Sequence, residues 1–276
     1  MTYPSKLMIV VGCLLLAACG GSGETPPVTT PPAPAYVGLF DTGATGSSNL
    51  VTRSSEGGAN SIDETADNLN RSSDTVTLNG LTGTIDDDRE IITFATGGTA
   101  TLTNGSTDYV ALFLAQPIGA DPFFGVIGVP TAGADLPNAN SATYSGSNSA
   151  VIQVVHGSTF LDLQGDVAAT VNFQGESLTI VFDQMDGIKI EGVSAPTGVS
   201  DALNFSIDGA IASDGSFTGS VATVSSLESG GSLSGDESVV ASGAFYGPNA
   251  DELGGLVTID DTGTGTLLIS GRFVAD

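Results

Sequence analysis

Gly243-Ala244-Phe245-Tyr246-Gly247-Pro248-Asn249-Ala250-Asp251-Glu252-Leu253-Gly254-Gly255 is the stretch that decides the fold of this chain. Phe245 and Tyr246 are expected to point to opposite faces of a strand, because successive side chains of a strand alternate. Gly247-Pro248-Asn249 is typical of a tight turn, since Pro presets φ while Gly and Asn tolerate positive φ. Gly254 and Gly255 indicate a bend, a bulge or a close backbone approach in the strand that follows. The stretch therefore predicts a β-hairpin.

The composition of the whole chain is that of an all-β protein. Of its 276 residues, 40% are hydrophobic and only 13% are charged, which is too apolar for a disordered chain. Lys and Arg together number 6, whereas Gly numbers 38, and Thr, Ser and Val are abundant. Such a mixture favours strands joined by tight turns.

The formal net charge of -25 limits the classes of partner. A surface this acidic repels nucleic acid and anionic lipid headgroups, so we expect no nucleic-acid partner. Because the acids are spread along the chain, they favour solubility in an extracellular setting. Steering of a basic partner or of cations is the alternative.

The N-terminus resembles a lipoprotein export signal. Residues 1–18 combine the positive Lys6 with a short apolar run, Leu7–Leu16, which is too brief to span a bilayer as a helix. Leu16-Ala17-Ala18-Cys19 resembles the bacterial lipobox, in which the cysteine becomes the first mature residue and is diacylated on its sulfur. An ordinary signal peptide with a coincidental cysteine is the alternative. Gly20, in place of Asp, suggests export to the outer membrane by resemblance to the sorting rule.

Cysteine usage agrees with lipidation of Cys19. Cys13 lies inside the predicted signal, so the mature chain keeps Cys19 alone and forms no internal disulfide. Residues 19–35 begin with this cysteine and continue with Gly and Ser and then Pro. They predict an extended tether between the lipid and the folded part.

The region 36–134 is predicted to be a small β-rich domain with long loops. Short strand signals separated by Gly, Asn and Asp turns occur at Asp74–Gly80, Thr82–Ile85, Glu90–Ala95, Thr99–Thr103, Tyr109–Ala115 and Phe123–Val129. The stretch from Gly43 to Asp74 has little periodicity. Within it, Ser61–Leu69 predicts a turn or two of helix, with Ser61 as the cap and Glu64 three residues on.

The region 135–276 has the clearest strand pattern. In Gly165–Phe173 the apolar residues occupy every second position. Further strand signals lie at Ser141–Gly146, Ala150–Val155, Glu176–Asp183, Leu203–Asp208, Phe217–Val224, Ser238–Tyr246, Leu253–Ile259 and Gly265–Val274. Strands at roughly ten-residue spacing predict an antiparallel sandwich or barrel, and eight or nine strands suffice to close a small barrel filled with side chains.

A barrel that spans the outer membrane is the alternative architecture. The strands are short and rich in Gly and Ser, aromatic residues make up only 6% of the chain, and Trp is absent. Membrane barrels carry girdles of aromatic residues at both interfaces. Since the chain also has a predicted lipid anchor, we expect a soluble, tethered eight-stranded barrel.

Three motifs resemble the C-terminal barrel of the transferrin-binding protein B family. They are the stretch Gly243–Gly255 followed by Gly271-Arg272-Phe273, the pair Ala134-Asp135-Leu136-Pro137 and Ala142–Gly146, and Gly165-Asp166-Val167 with Val171-Asn172-Phe173. The resemblance covers about 135–276 by motif and 36–134 only by position, where the family has its handle domain. It implies an all-β lobe in which a handle-like domain precedes an eight-stranded barrel.

The resemblance also implies which residues are structural and what kind of ligand the protein binds. The signature residues Gly243, Phe245, Tyr246, Gly247, Pro248, Ala250, Glu252, Gly254 and Gly255 are implied to be structural. Members of the family are surface lipoproteins that bind host proteins or iron sources, such as transferrin, haemoglobin, complement factor H or haem carriers. Transferrin-binding protein B is bilobed, whereas this chain has room for one lobe. Nothing in 36–134 matches the known ligand contacts by motif, so no binding residue is assigned.

No group of residues predicts a catalytic or cofactor site. His156 is the only histidine, so it cannot form a zinc site or a Ser-His-Asp triad by itself; axial haem ligation is the alternative to a plain strand residue. Asp86-Asp87-Asp88 with Glu90 offers oxygen ligands for Ca²⁺ but lacks the spacing of an EF-hand, which favours a solvated hairpin tip. Asp251 and Glu252 face opposite ways on a strand and have no nucleophile nearby, so we expect hydrogen bonding at the turn.

The sequence therefore predicts a non-enzymatic surface lipoprotein without a cofactor. It is expected to attach to the outer membrane through lipid on Cys19, to capture a protein or haem/iron ligand, and to pass the ligand to a TonB-dependent receptor. The alternative is a structural or adhesive surface lipoprotein with no iron-related ligand.

Overall fold

The computed structural model describes residues 36–41, 45–53, 60–70, 74–86, 90–103, 108–138, 141–228, 232–261 and 267–276. The predicted signal, the predicted lipidation site Cys19 and the tether lie outside these ranges. So do Asp87 and Asp88 of the acidic run.

The first half of the chain forms a closed antiparallel barrel of eight strands. Each strand pairs with its neighbours in the chain, and β1 pairs with β8 to close the ring. The strands are β1 (Thr45–Arg53), β2 (Asn60–Asn70), β3 (Thr75–Leu78), β4 (Leu81–Asp86), β5 (Ile91–Phe94), β6 (Gly98–Thr103), β7 (Val110–Pro117) and β8 (Phe123–Gly128). The six strands predicted between Asp74 and Val129 are confirmed as β3 to β8.

The helix predicted over Ser61–Leu69 is wrong. This segment belongs to β2, which pairs with β1 from Thr45↔Asn70 to Arg53↔Asn60. The spacing of Ser61 and Glu64 is a local helix-capping preference, and pairing within the barrel wall overrides it. Part of the predicted long loop is therefore barrel wall.

The core of this N-terminal barrel is apolar. Burial alternates along β4 and β6, as the strand period requires. Phe94, Phe113 and Phe123 fill the interior, and the rings of Phe113 and Phe123 meet edge to face with their centroids 6.1 Å apart. This is the arrangement that the ring quadrupoles favour.

The second half of the chain forms another ring of eight antiparallel strands. Its order is β10-β9-β17-β16-β15-β14-β13-β11, with β12 added at β11, and pairing of β10 with β11 closes it. The strands are β9 (Ala142–His156), β10 (Thr159–Asn172), β11 (Ser177–Glu191), β12 (Thr197–Val199), β13 (Leu203–Ile211), β14 (Ser216–Leu227), β15 (Ser238–Tyr246), β16 (Glu252–Asp260) and β17 (Leu267–Ala275). The predicted all-β fold with an eight-stranded barrel is confirmed.

Two details of this C-terminal barrel differ from the sequence pattern. The strands predicted at Ser141–Gly146 and Ala150–Val155 are one strand, β9, because the register shifts between the pairs Gly165↔Ala150 and Val167↔Gly146 without ending the pairing. A bulge of this kind breaks the alternation that the sequence shows while the strand continues. β11 also runs eight residues past Asp183 to Glu191.

Aromatic side chains fill the interior of the C-terminal barrel. Phe182 stacks on Phe205 with ring centroids 4.3 Å apart and contacts Phe273 edge to face at 5.1 Å. Phe245 contacts Phe217, and the hydroxyl of Tyr144 donates to the Ala250 carbonyl oxygen at 2.6 Å. The last bond ties the turn of the β15–β16 hairpin to β9. Among the described residues there is no helix with the length and apolar character that a membrane crossing needs.

Candidate functional site

The predicted hairpin Gly243–Gly255 is formed by β15 and β16. They are joined by a short 3-10 turn, Pro248–Ala250, that follows Gly247. Gly247 has φ +75° and Asn249 has φ 57°, so the turn uses the positive φ that these two residue types tolerate. The hairpin lies where the two barrels meet.

Phe245 and Tyr246 point to opposite faces of β15, as alternation requires. Phe245 belongs to the interior of the C-terminal barrel, whereas Tyr246 lies outside it, against the N-terminal barrel. The apolar contact between the barrels, here called the junction cluster, consists of Val110, Leu112, Phe124, Val126, Tyr246, Leu256 and Val274. Tyr246 therefore joins the two barrels and does not close the end of one.

Two glycines allow the barrels to approach closely. A Cβ on Gly254 would lie 3.0 Å from Cγ2 of Val110 and 3.1 Å from Cγ1 of Val126, both on the N-terminal barrel. A Cβ on Gly128 would lie 2.4 Å from Cδ1 of the Tyr246 ring. The β15–β16 register is continuous through Gly254 and Gly255, so Gly254 serves a close approach and neither glycine marks a bulge.

Glu252 makes the polar contact of the junction. Its carboxylate accepts hydrogen bonds from the backbone N–H groups of Asp108 (2.6 Å), Tyr109 (2.9 Å) and Val110 (3.0 Å), at the start of β7. The residue is 5% exposed, while the neighbouring Asp251 is exposed. The prediction of hydrogen bonding at the turn thus had the right kind of bond but missed the partner, which lies more than 140 residues earlier in the chain.

Burial raises the pKa of Glu252 to about 7. The three N–H donors favour the charged form and oppose this rise, while the nearby carboxylate of Asp108 adds to it. Burial raises the pKa of the Tyr109 phenol, and the negative charges of Asp108, Asp251, Glu252 and Asp41 raise it further. The junction therefore contains a buried carboxyl, that of Glu252, which titrates near neutral pH and has other acidic residues nearby.

This pKa predicts a pH dependence of stability. Because the folded-state pKa of Glu252 lies above its ordinary value of 4.5, the folded protein holds the proton more tightly than the unfolded chain. The stabilising contribution is complete below about pH 4.5 and is lost as the pH rises through about 7. We expect the wild type to lose about 1 to 3 kcal/mol more than Glu252→Gln over this range, measured by urea unfolding at several pH values. Parallel profiles would contradict the assignment.

Backbone hydrogen bonds link the connection between the barrels to the hairpin. The N–H of Gly247 donates to the Val129 carbonyl oxygen at 3.0 Å, and the N–H of Thr131 donates to the Phe245 carbonyl oxygen at 2.9 Å. The Thr131 hydroxyl donates to the Gly247 carbonyl oxygen at 2.7 Å. Hydrogen bonds from the segment that connects the two barrels thus fix the Gly247-Pro248 turn.

Arg272 also lies at the junction. From the sequence it was noted only as part of the motif Gly271-Arg272-Phe273, with no role of its own. Its guanidinium carbon lies 5.0 Å from the centroid of the Phe124 ring, across the two barrels. Burial lowers its pKa to about 10, and the carboxylate of Asp162 opposes this shift. A single Arg within the apolar strand Leu267–Ala275 was the available signal, because a charge at such a position needs a partner.

The other candidate residues lie apart from the junction and from each other. His156 ends β9 opposite Thr159 of β10, and Asp86 ends β4. Glu90 precedes β5. In the ranges that the structure describes, no three His, Cys, Asp or Glu side chains are arranged to hold a metal ion.

The C-terminal barrel identifies the family of the chain. The family described as the C-lobe and N-lobe beta barrels of Tf-binding protein B matches residues 136–275. The chain belongs to this family. The matched residues include the hairpin, Glu252 and Arg272, so the resemblance inferred from the sequence motifs is confirmed for the transferrin-binding protein B family. No curated protein matches the sequence.

Solved structures of transferrin-binding protein B share the fold. A double mutant of the Haemophilus parasuis Hp5 protein is 17% identical with a TM-score of 0.57, and the match covers 84% of this chain and 44% of that chain. The isotype 1 protein from serogroup B Neisseria meningitidis is 14% identical with a TM-score of 0.51, over the same two shares. HpuA from Kingella denitrificans, solved with human haemoglobin, is 14% identical with a TM-score of 0.42, over 88% of this chain and 91% of that chain. The chain spans less than half the length of these two transferrin-binding proteins B.

Proposed function

We propose that this chain is a lipid-anchored binding module of the outer-membrane surface that captures a protein or haem ligand for iron acquisition. The observation that supports this most is the family match over 136–275, since the family is that of the barrels of a transferrin-binding protein. The two matched structures with the higher TM-scores are of transferrin-binding proteins as well.

The proposed module has four parts in chain order. Residues 1–18 direct export, and residues 19–35 carry the lipid on Cys19 and form the tether. Residues 36–134 form the handle-like domain, and residues 135–276 form the barrel domain of the family. A TonB-dependent receptor in the same membrane takes the iron or haem from the captured ligand.

The packing of the barrel favours a ligand that binds on the outside. Phe182, Phe205, Phe217 and Phe273 are fully or almost fully buried and fill the interior with aromatic rings. Within the described part of the chain, these side chains occupy the interior volume that a ligand of the size of haem would need. The exposed loops and strand faces are therefore where we place the ligand contacts.

A binding experiment on cells and on purified protein tests the proposal. We expect cells that express the wild type to bind at least one of three labelled probes: transferrin, haemoglobin or haem. Cells that express Cys19→Ala are expected to lose the bound probe, because the protein leaves the membrane. The released protein still binds in calorimetry, with a Kd on the order of 1 μM or tighter.

The two parts of the proposal fail separately. If the purified protein binds none of the three probes at roughly 100 μM, iron capture is contradicted, and the structural or adhesive role becomes the better account. If Cys19→Ala stays on the cells with an undiminished signal, the lipid anchor is contradicted while ligand capture stands.

A further inference from the structure

One strand of the C-terminal barrel leaves its neighbour before it ends. β14 runs from Ser216 to Leu227 and pairs with β13 along this whole length. On its other side it pairs with β15 only through Ser216–Gly219, opposite Ala244–Ala241. Beyond Gly219 the pairing stops, although β15 has three further residues on that side, from Val240 to Ser238. The rest of β14 is a strand edge.

A bulge explains why the two strands separate at this point. The β13 register shifts between Gly209↔Gly219 and Asp208↔Val221, so Ser220 is an extra residue in β14. A second shift, between Asn204↔Ser226 and Phe205↔Val224, leaves Ser225 as an extra residue. Bulges bend a strand and increase its local twist, which turns β14 away from β15. Val221–Val224, between the bulges, is a regular stretch of strand.

The described part of the β14–β15 loop makes no backbone hydrogen bond to this edge. Ser234 donates both its backbone N–H and its hydroxyl to the carboxylate of Asp261, which follows β16. β16 pairs with β15 on the side away from β14, so these bonds tie Ser234 to the end of β16, while Leu233 packs against the core of the C-terminal barrel. Within the described ranges, no backbone hydrogen bond from outside the β13 ladder reaches Ser220–Leu227.

The free edge lacks two of the usual protections against strand addition, namely charged residues and Pro. Natural edge strands carry charges or Pro that discourage pairing with another chain. From Ser216 to Leu227 there is neither a charged residue nor a Pro, and the Val221 side chain is 56% exposed. The sequence Val221-Ala222-Thr223-Val224 has the β-branched composition that favours strands. Its two flanking bulges limit the available length but leave the middle open.

The surroundings of the edge are acidic. Asp208 lies directly opposite Val221 on β13, and Glu228 follows β14, with Nζ of Lys189 on β11 3.8 Å from its carboxylate. Between Ile190 and Gly271 the sequence contains eleven acids and no Lys, Arg or His. A strand added here meets a negative field, which favours a positively charged segment and disfavours a second copy of this acidic chain.

We propose that Val221–Val224 of β14 accepts an extended, positively charged segment of a partner protein as an added β-strand. Backbone hydrogen bonds to the edge supply the attraction, and the acids around it select for Lys and Arg on the incoming segment. On this proposal the excess of acidic residues has two roles: it attracts a basic partner to this edge, and it keeps the whole protein soluble. The inference does not depend on iron capture, since it rests on the strand edge alone.

Hydrogen exchange with a synthetic strand tests the proposal. The probe is the capped peptide Lys-Thr-Val-Thr-Val-Thr-Lys, added to the purified protein in low salt. We expect it to slow the exchange of backbone amides in Ser220–Leu227 by about tenfold. The peptide with Glu in place of both Lys residues should bind about tenfold more weakly, and about 0.5 M salt should remove this difference. A peptide with N-methyl groups on its strand-pairing amides should give no protection.

The strand itself offers a matched pair of variants. Thr223→Lys places a positive charge on the free edge, whereas Thr218→Lys places the same charge on the part of β14 that is paired on both sides. Both threonines are exposed, so both variants are expected to fold, which far-UV circular dichroism checks. In about 0.1 M salt, Thr223→Lys should weaken binding of the Lys peptide about fivefold or more and Thr218→Lys less than twofold, because the roughly 16 Å of strand between the two positions exceeds the Debye length of about 10 Å.

Three results would overturn the proposal. The first is unchanged exchange in Ser220–Leu227 at saturating Lys peptide. The second is equal protection by the N-methylated peptide, which would mean that side chains and not backbone bonds hold it. The third is protection of the edge without any peptide in a species of twice the chain mass, which would make a second copy the occupant. None of these outcomes bears on transferrin, haemoglobin or haem binding.

Discussion

Replacing Glu252 by Ala is expected to lower the free energy of unfolding by about 3 kcal/mol at about pH 6. The substitution leaves the backbone N–H groups of Asp108, Tyr109 and Val110 without their acceptor. An unsatisfied buried donor costs about 1 to 3 kcal/mol. Val110 is fully buried, so the loss of this acceptor costs most at its N–H, whereas Asp108 is exposed and can turn to water. The total loss of unfolding free energy is therefore closer to one full penalty plus two partial ones than to three full penalties.

The chain suits a spectroscopic measurement of this loss. It contains no Trp and only 5 Tyr, two of which, Tyr109 and Tyr246, lie at the junction. Tyrosine fluorescence therefore reports in part on the junction, while far-UV circular dichroism follows both barrels during urea unfolding. Asp251→Ala is the matched control, since this neighbouring carboxylate is exposed, and its removal should change the free energy by less than about 0.5 kcal/mol.

Two outcomes would count against the role of Glu252. Equal losses in Glu252→Ala and Asp251→Ala would show that charge, and not hydrogen bonding, sets the effect. A Glu252→Ala loss below about 1 kcal/mol would show that water replaces all three bonds. A fluorescence transition that precedes the circular dichroism transition would instead support the role, because it would mean that the barrels separate before they unfold.

The strands were predictable where burial alternates along the chain. Gly165–Phe173 and Glu176–Asp183 present apolar residues at the strand period, and both lie in strands of the structure, β10 and β11. The hairpin was predictable for a different reason, since Gly247 and Asn249 have the φ values that their residue types allow. In these segments local chemistry and tertiary structure agree.

Ser61–Leu69 shows where local sequence misleads. The segment has a capping-box spacing and little alternation, yet it forms most of β2. Its strand conformation depends on pairing with β1, which precedes it by a few residues, and on closure of a ring whose far member is β8. Pairing and ring closure of this kind leave no periodic signal in the segment itself.

The junction was missed because its halves are far apart in the chain. Tyr246 and Glu252 stood out as signature residues, but nothing in the sequence around Gly128 and Val110 indicated that these residues are their partners. A buried Glu and a lone Arg in apolar strands are the residues that signal an unseen partner, because isolated buried charges are costly. Both Glu252 and Arg272 turn out to face the other barrel.

A double-mutant cycle on Gly128 and Tyr246 tests the close approach of the barrels. Gly128→Ala is expected to cost about 2 to 3 kcal/mol of unfolding free energy, because the added methyl group overlaps the Tyr246 ring. Tyr246→Ala is expected to cost about 3 to 5 kcal/mol, since it removes a fully buried aromatic side chain from the junction cluster. Urea unfolding followed by circular dichroism measures both.

The double variant decides whether the two effects share one cause. Without the ring, the methyl group of Gly128→Ala occupies part of the cavity, so the combined loss should fall short of the sum by about 1 to 2 kcal/mol. The coupling stays below the full cost of Gly128→Ala, because the Tyr109 carbonyl oxygen still lies 2.8 Å from the new Cβ position. Gly198→Ala is the control: nothing lies within 4 Å of its added Cβ, and its loss should be close to zero. Strict additivity of Gly128→Ala and Tyr246→Ala would mean that the ring does not lie over Gly128 in solution, and that the barrels meet there less closely than the junction requires.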